Sequence, residues 1–172
     1  MICLAAFGFF IAMSKAGNNF QIPISTSYVC AYVVRKEGDG YKFLLLKRNS
    51  RYMFGLWGQV AGKVEDGETA IQAVIREIQE ETGHRPTALY SADIIESFYD
   101  IEYNTIQLIP AFVAILDSAD IVLSSEHSEY RWVGPNEAGA MFPFPLQKST
   151  VELIRREFLE KNPPAALKIE LP

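Results

Sequence analysis

The chain has 172 residues, a length that suits one domain with a hydrophobic core. Its residues are 49% hydrophobic and 22% charged, as in ordinary globular proteins. The net charge of −5 argues against a broad nucleic-acid-binding surface, so we expect no nucleic-acid partner. Two cysteines, Cys3 and Cys30, form neither a disulfide framework nor a zinc-binding pattern, and they favour a reduced, cytoplasmic compartment.

The first residues form an uncharged, apolar segment from Ile2 to Met13. This segment is too short to span a bilayer as a helix, so we expect no stable membrane insertion. A secretory signal has its positive charge before the apolar stretch, whereas Lys15 comes after it. Three interpretations stay open: a natural start at Met13, a segment that packs on the domain or touches a membrane, and a cleaved signal. We treat residues 1–26 as an N-terminal extension.

Two strands joined by a turn come next. β-Branched and aromatic residues predict a strand from Ser27 to Val34. The sequence EGDG predicts a turn over Glu37 to Gly40, followed by a returning strand from Tyr41 to Lys47. An aromatic loop, Asn49 to Gly58, then leads into the glycine-rich, charged run GKVEDGE.

The clearest predicted helix follows this run. Thr69 can cap its first turn, and Gln72, three residues later, completes a capping box. Gly83 supplies a C-terminal stop, and Pro86 prevents continuation of the helix. Apolar residues recur at helical spacing and predict one buried stripe: Ile71, Val74, Ile75 and Ile78.

The second half of the chain returns to strands and ends with a helix. The predicted strands are Ala88–Tyr99, Thr105–Leu116 and Tyr130–Val133, and the proline-bearing stretch Pro135–Pro145 connects them to a helix over Leu146–Lys161. Residues 162–172 form a C-terminal tail that we expect to be extended. Strands and helices in this order predict an α/β fold with a mixed sheet covered by helices on both faces.

Three glutamates of the first helix carry the predicted chemistry. Glu77, Glu80 and Glu81 stand at positions i, i+3 and i+4, so they share one face of the helix. Carboxylates this close repel one another, and hard oxygen ligands in a cluster suit Mg²⁺ or Mn²⁺. Arg76 can hold one carboxylate by a charge-assisted hydrogen bond. A solvated acidic helix face would have the same spacing, so the glutamates alone leave both interpretations open.

The wider pattern from Gly62 to Gly83 resembles the Nudix box, GX5EX7REUXEEXGU. One position departs from it, because His84 stands where the family usually has an apolar residue, and we expect an adjustment of packing there. The resemblance implies a Nudix-type α/β/α sandwich with a mixed sheet between helices, spanning residues 27–161. The fixed positions of the box are occupied by Gly62, Glu68, Arg76, Glu77, Glu80, Glu81 and Gly83.

The resemblance also implies a role for each residue of the box. Gly62 adds a backbone carbonyl as a metal ligand, Arg76 orients a catalytic glutamate, and Glu68 supports the loop. The implied metal-binding glutamates are Glu77, Glu80 and Glu81.

The implied reaction is hydrolysis of a pyrophosphate bond by an activated water, with a glutamate as the proton acceptor. Glu80 and Glu81 are candidates for this acceptor inside the box. Glu126 is a candidate outside it, as a catalytic residue and a metal ligand, because SSEHSEYRWV is similar to a segment of the dihydroneopterin-triphosphate pyrophosphatase branch. A solvated loop acid is the alternative for Glu126, and Glu129 is a weaker competitor.

Substrate contacts are expected from basic and aromatic residues near the box. Lys47, Arg48 and Lys63 are candidates for phosphate binding, with Arg48 preferred because a guanidinium grips phosphate bidentately. Trp57, in the loop just before the box, is the candidate for contact with a base, and His127 is a candidate donor to substrate. Other aromatic residues could also contact a base: Tyr28, Phe54, Phe98, Tyr99 and Tyr103.

Several substrate classes stay open. The chain is most similar to small bacterial hydrolases of nucleoside triphosphates, including dATP and dihydroneopterin triphosphate, which release a monophosphate and pyrophosphate. Oxidised dNTPs and linked nucleoside diphosphates, such as ADP-ribose, nucleotide sugars or dinucleoside polyphosphates, are alternatives. Action on capped or triphosphorylated RNA and a Nudix-fold binding module without catalysis are further ones. We therefore expect a small-molecule nucleotide as partner, and a homodimer is compatible with the sequence.

Overall fold

The computed structural model describes residues 21–172, so the predictions for Ile2 to Met13 and for Cys3 lie outside the described residues. A π-helical turn, Arg155–Leu159, follows the helix that ends at Ile154, and a 3₁₀ turn, Ala165–Leu167, precedes the last strand. The strands are β1 Ile24–Ser25, β2 Tyr28–Glu37, β3 Gly40–Arg48, β4 Trp57–Gly58, β5 Val60–Lys63, β6 Ala88–Asp100, β7 Thr105–Ile115, β8 His127–Val133 and β9 Lys168–Ile169. The helices are α1 Ala70–Thr82, α2 Pro135–Met141 and α3 Pro145–Ile154.

The strands form one mixed sheet whose main path runs β4-β3-β2-β7-β6-β9. The long central strand β2 pairs in parallel with β7, and antiparallel with β3 and β5. Strand β8 covers the other side of β3, and β1 pairs in parallel with the start of β7. The sheet therefore brings β5, which leads into the box, next to the centre of the domain.

Helices cover both faces of this sheet. On one face, called the α1 face, Val29 and Ala31 of β2 pack in the same core cluster as Ile78 of α1. On the other, called the α3 face, Tyr32 packs in a second cluster with Ile154 of α3. Alternate residues of β2 serve opposite faces, as strand geometry requires. The predicted α/β/α sandwich with a mixed sheet is confirmed.

Helix α1 begins and ends where its cap residues predict. Thr69 and Gln72 form both hydrogen bonds of the capping box, and Gly83 ends the helix in the left-handed region with φ 77°. The buried stripe of α1 differs from the predicted one at one residue. Ile71, in the first turn, is 38% exposed, whereas Ala73 is fully buried. The small side chain of Ala73 lets the helix approach the sheet closely.

One prediction for the C-terminal part was wrong. The connection predicted over Pro135–Pro145 contains helix α2, because Pro135 stands at the first position of a helix, where proline is favoured. The end of the tail is extended as predicted, and Lys168 and Ile169 add a short strand beside Tyr90 and Leu89 at the edge of β6. Within residues 21–172, no helix is long and apolar enough to cross a membrane.

Candidate active site

Arg76 is the centre of the site. Its guanidinium grips Glu68 with two hydrogen bonds, from Nε at 2.8 Å and from Nη2 at 3.0 Å. Nη1 donates to Glu77 at 2.7 Å and to Glu80 at 3.1 Å, and Nη2 also donates to the Lys63 carbonyl at 2.8 Å. These bonds lower the pKa of Glu68. One planar cation thus ties the loop after β5 to the acidic side of α1.

The Gly62 backbone lies directly against the Glu77 carboxylate. A Cβ added at this position would overlap all three atoms of the carboxyl group, so any other residue here would displace the Glu77 carboxylate. The Glu77 side chain is only 12% exposed. Burial raises its pKa, although the neighbouring Arg76 opposes that shift. The Gly62 backbone and the Glu77 carboxylate therefore lie side by side.

Glu81 is buried and incompletely paired. It is 3% exposed, in contrast to Glu80, whose side chain is 57% exposed. The Ala61 backbone hydrogen-bonds the Glu81 carboxylate, but its Oε2 has no partner within residues 21–172. Burial raises the Glu81 pKa well above its usual value, and the negative charge of Glu77 adds to this shift. A buried acceptor of this kind fits a bound cation.

The three box glutamates do not form a ready-made metal cage. Among the described residues, no group of three or more histidine, cysteine, aspartate or glutamate side chains is arranged to hold an ion. Arg76 instead bonds both Glu77 and Glu80, and neutralises part of their charge. The set of oxygen donors nevertheless suits a hard divalent cation.

Glu126 joins the site from the loop before β8. Its carboxylate influences the pKa of both Glu77 and Glu81. Arg48 lies between these groups, with Nη2 3.6 Å from Glu126 Oε2. The Glu126 side chain is 59% exposed, so it can move toward a ligand. The structure therefore brings Arg48 and Glu126 to the acidic cluster.

His127 lies beside them but is not exposed. It pairs with Arg48 across the β3–β8 ladder and is buried, and its Nδ1 has no partner among the described residues. Burial lowers its pKa to about 4, with a further contribution from the Arg48 charge. The imidazole is therefore neutral at physiological pH.

Lys47 and Trp57 lie apart from the acidic cluster. Trp57 packs against the α3-face core, and Lys47 pairs with it across β3 and β4. Two cations lie over the indole ring: Lys47 Nζ at 5.7 Å and the Arg131 guanidinium carbon at 5.0 Å from its centroid. Arg131 and Lys47 also contact Glu129. The predicted phosphate-binding role of Lys47 and base-stacking role of Trp57 remain predictions.

A second buried acid lies on the α3 face and was missed from the sequence. Glu96 is 6% exposed and accepts hydrogen bonds from the Tyr32 hydroxyl and from Gln59 Nε2. Gln147 of α3 donates to Gln59 Oε1 at 2.8 Å, which extends the network to the helix. Burial raises the pKa of Glu96. A charged residue inside the alternating strand ADIIESFYD was the sequence signal for this group.

Comparisons with known proteins agree with this architecture. A family model described as NUDIX domain matches residues 25–160. A Caenorhabditis elegans protein named as a nudix hydrolase is 40% identical over 73 residues, which are 42% of this chain and 18% of that protein. The octanoyltransferase of Myxococcus xanthus is 32% identical over 123 residues, or 70% of this chain and 34% of that protein. This chain thus spans only about a third or less of these two relatives.

A third relative is matched over most of its length. The asymmetrical bis(5'-nucleosyl)-tetraphosphatase of Mus musculus is 30% identical over 126 residues, covering 70% of this chain and 82% of that protein. Among solved structures, a MutT protein from Methanosarcina mazei Go1 has a TM-score of 0.66 at 30% identity, covering 80% and 97% of the two chains. The Escherichia coli dihydroneopterin triphosphate pyrophosphohydrolase has a TM-score of 0.64 at 23% identity, covering 77% and 96%, and shows the shared fold.

Proposed function

This chain belongs to the Nudix family, and we propose that it is an enzyme that hydrolyses a phosphoric anhydride bond of a nucleotide. One observation carries the proposal: the buried Glu81 oxygen that no described residue pairs, beside the Glu77 carboxylate. A protein without a ligand at this site would gain stability from an apolar residue here. The unpaired oxygen is therefore best explained by a cation that the site binds.

We propose Mg²⁺ as this cation, with Mn²⁺ as a substitute. The proposed ligands of this cation are Glu77, Glu80, Glu81 and the Gly62 carbonyl. Glu126 would join them from its exposed loop. When bound, the cation would neutralise charge on the pyrophosphate and make a water molecule more acidic.

The remaining steps rest on the side chains themselves. Arg76 orients Glu77 and Glu80 through direct hydrogen bonds. Arg48 would contact a phosphate. Its one ion pair among the described residues, with Glu126 at 3.6 Å, is long and partly exposed, which supports this role. Glu126, Glu80 and Glu81 are the candidates that accept the proton of the attacking water.

For the substrate we propose a nucleoside triphosphate or related pterin triphosphate, cleaved to a monophosphate and pyrophosphate. The similarity to the nucleoside triphosphatase NudI of Salmonella agona, 30% identical over 113 residues that cover 59% of this chain and 78% of that protein, supports this class. A dinucleoside polyphosphate is the second candidate, supported by the mouse tetraphosphatase, which is matched over 82% of its length.

The test is a product assay with Mg²⁺ on a panel of triphosphates, ADP-ribose, nucleotide sugars and diadenosine polyphosphates, read by mass. Pyrophosphate with a monophosphate is the expected product pair, whereas selective cleavage of a linked diphosphate would overturn the triphosphate proposal.

Glu80→Gln should abolish turnover yet fold, because the side chain is exposed. Glu137→Gln on α2 is the matched control and should keep full activity. Turnover by Glu80→Gln near the wild-type rate at saturating Mg²⁺ would refute the metal assignment.

A further inference from the structure

A second polar group without a partner lies on the α3 face. Gln107, in β7, is 7% exposed, and its Oε1 has no hydrogen-bond partner within the part of the chain that the structure describes. None of the catalytic roles proposed above uses this residue. A buried amide oxygen without a partner destabilises a fold, so its retention at this position needs an explanation.

The strand register shows where this amide points. Ile109, two residues later in β7, packs in the α3-face core, so Gln107 faces the same side by strand alternation. Phe98 lies directly opposite Gln107 in the antiparallel β6–β7 pair, and its ring is on the same face. Phe98 is 40% exposed. An amide with an unused acceptor therefore stands beside an accessible aromatic surface.

Two buried acids near Gln107 on this face are already hydrogen-bonded. Glu96, next to Phe98 along the same face of β6, accepts hydrogen bonds from Tyr32 and Gln59. Asp100, at the end of β6, accepts from the Tyr52 hydroxyl at 3.3 Å. This contact fixes the aromatic loop between β3 and β4 against β6. Of these three residues, Gln107 is the one with an acceptor that no described residue uses.

The same face connects to the candidate active site through one strand. Tyr28 precedes Cys30, which packs in the α3-face core, by two residues and therefore faces the same side. Tyr28 pairs with Lys63, and Val29 pairs with Gly62. A nucleotide with its phosphates at Gly62 and Lys63 would have the α3 face within reach of its nucleoside.

We propose that Gln107 binds the nucleobase of the substrate, with Phe98 as a stacking surface. The amide presents one acceptor and one donor side by side. It can pair with a base edge that has a donor opposite the amide oxygen and an acceptor opposite the amide nitrogen, such as the amino group and ring nitrogen of adenine. Stacking on an aromatic ring supplies contact area for the planar base. This inference rests on the proposed function in that it takes the ligand to be a nucleotide.

The test measures binding without turnover. Isothermal titration calorimetry with Mg²⁺ compares AMP, GMP, CMP and UMP with ribose 5-phosphate, which lacks a base. In the wild type we expect AMP to bind more tightly than ribose 5-phosphate. Gln107→Leu should weaken AMP by about tenfold, the effect of one or two neutral hydrogen bonds, and leave ribose 5-phosphate unchanged. Because Leu removes an unpaired buried oxygen, the melting temperature of this variant should equal or exceed that of the wild type.

Two further variants keep the result interpretable. Gln107→Glu retains the shape of the side chain and replaces Gln107→Leu in the test if that variant fails to fold. It should also lose AMP affinity. Ser97→Ala, on the neighbouring exposed position of β6, is the control and should bind AMP as the wild type does. Unchanged AMP affinity in the folded Gln107 variants would overturn the proposal, as would nucleotides that bind no more tightly than ribose 5-phosphate. An inactive protein that binds AMP through Gln107 would support the subsite while refuting the hydrolysis.

Discussion

The two faces of the sheet each bury a glutamate, and they treat it in opposite ways. On the α3 face, Glu96 is surrounded by donors, with Tyr32 and Gln59 hydrogen-bonded to its two carboxylate oxygens. On the α1 face, Glu81 is as deeply buried but has one oxygen that no described residue pairs, next to the negative charge of Glu77. Burial raises the pKa of both acids.

Burial alone therefore does not tell whether an acidic side chain stabilises the fold or binds a ligand. A saturated buried acid contributes to a cooperative hydrogen-bond network and to stability. An unsaturated one destabilises the fold, and it persists where a ligand completes it. The same substitution, glutamate to glutamine, should therefore have opposite consequences at positions 81 and 96.

The largest effect is expected for Glu81→Gln. The amide cannot supply the negative charge that a cation requires, so kcat should fall by at least about a hundredfold, within the usual range for loss of an acid–base group. The free energy of unfolding without metal should stay the same or rise, because a poorly paired buried charge is removed. Turnover assays with Mg²⁺ and chemical denaturation in EDTA measure the two quantities. A destabilised but fully active variant would contradict the contrast between the faces.

Gly62→Ala should come next. The added Cβ overlaps the Glu77 carboxylate, and a displacement of about 1 Å in such a group commonly lowers the rate about a hundredfold. Gly58→Ala is the matched control, because a Cβ there meets no atom within 4 Å among the described residues. Steady-state kinetics of the two variants should differ strongly. Equal rates would show that the Gly62–Glu77 approach has no part in catalysis.

Glu96→Gln should affect stability more than chemistry. The new amide keeps one acceptor oxygen, and its NH2 group would face either the Tyr32 hydroxyl or Gln59 Nε2, so one of these two buried donors loses its acceptor. We expect the free energy of unfolding to fall by about 1–3 kcal/mol. Urea denaturation followed by circular dichroism would measure this change. A variant as stable as the wild type would remove the distinction between the saturated and the unsaturated acid.

The smallest effect is a pH dependence. Because the folded-state pKa of Glu96 is raised above 4.5, its neutral form stabilises the fold below about pH 4.5, and this contribution is lost as the pH rises through the raised value. The difference in unfolding free energy between the wild type and Glu96→Gln should therefore shrink from pH 4.5 upward. Denaturation series in EDTA at several pH values would measure it. A difference that grows with pH would reverse the assigned sign.

Much of the fold could be predicted from local sequence signals. The ends of α1 follow from Thr69 and Gly83, because caps act within one turn of the chain. The sequence does not predict α2, because a proline such as Pro135 is typical both of connections and of the first position of a helix, and it does not predict β9, because two residues show no periodicity. Short elements depend on tertiary pairing, which a local pattern does not contain.

The candidate site was only partly predictable. Fixed spacing within the box identified Glu77, Glu80 and Glu81, but not that Glu81 is buried while Glu80 is exposed, since this depends on how α1 lies on the sheet. Gln107 could not be assigned to a face from the sequence. Its neighbours are set by the β6–β7 register, which shifts at a bulge between Ser91 and Ile94.

The hydrogen bonds of Arg76 also have a consequence for local unfolding. One guanidinium joins Glu68 and the Lys63 carbonyl in the loop to Glu77 and Glu80 on the helix. The loop and the helix therefore cannot open separately without breaking this set of charged bonds. In native-state hydrogen exchange, the amides of both segments should open as one cooperative unit. The protein would then lose its catalytic surface in a single step and not by gradual fraying.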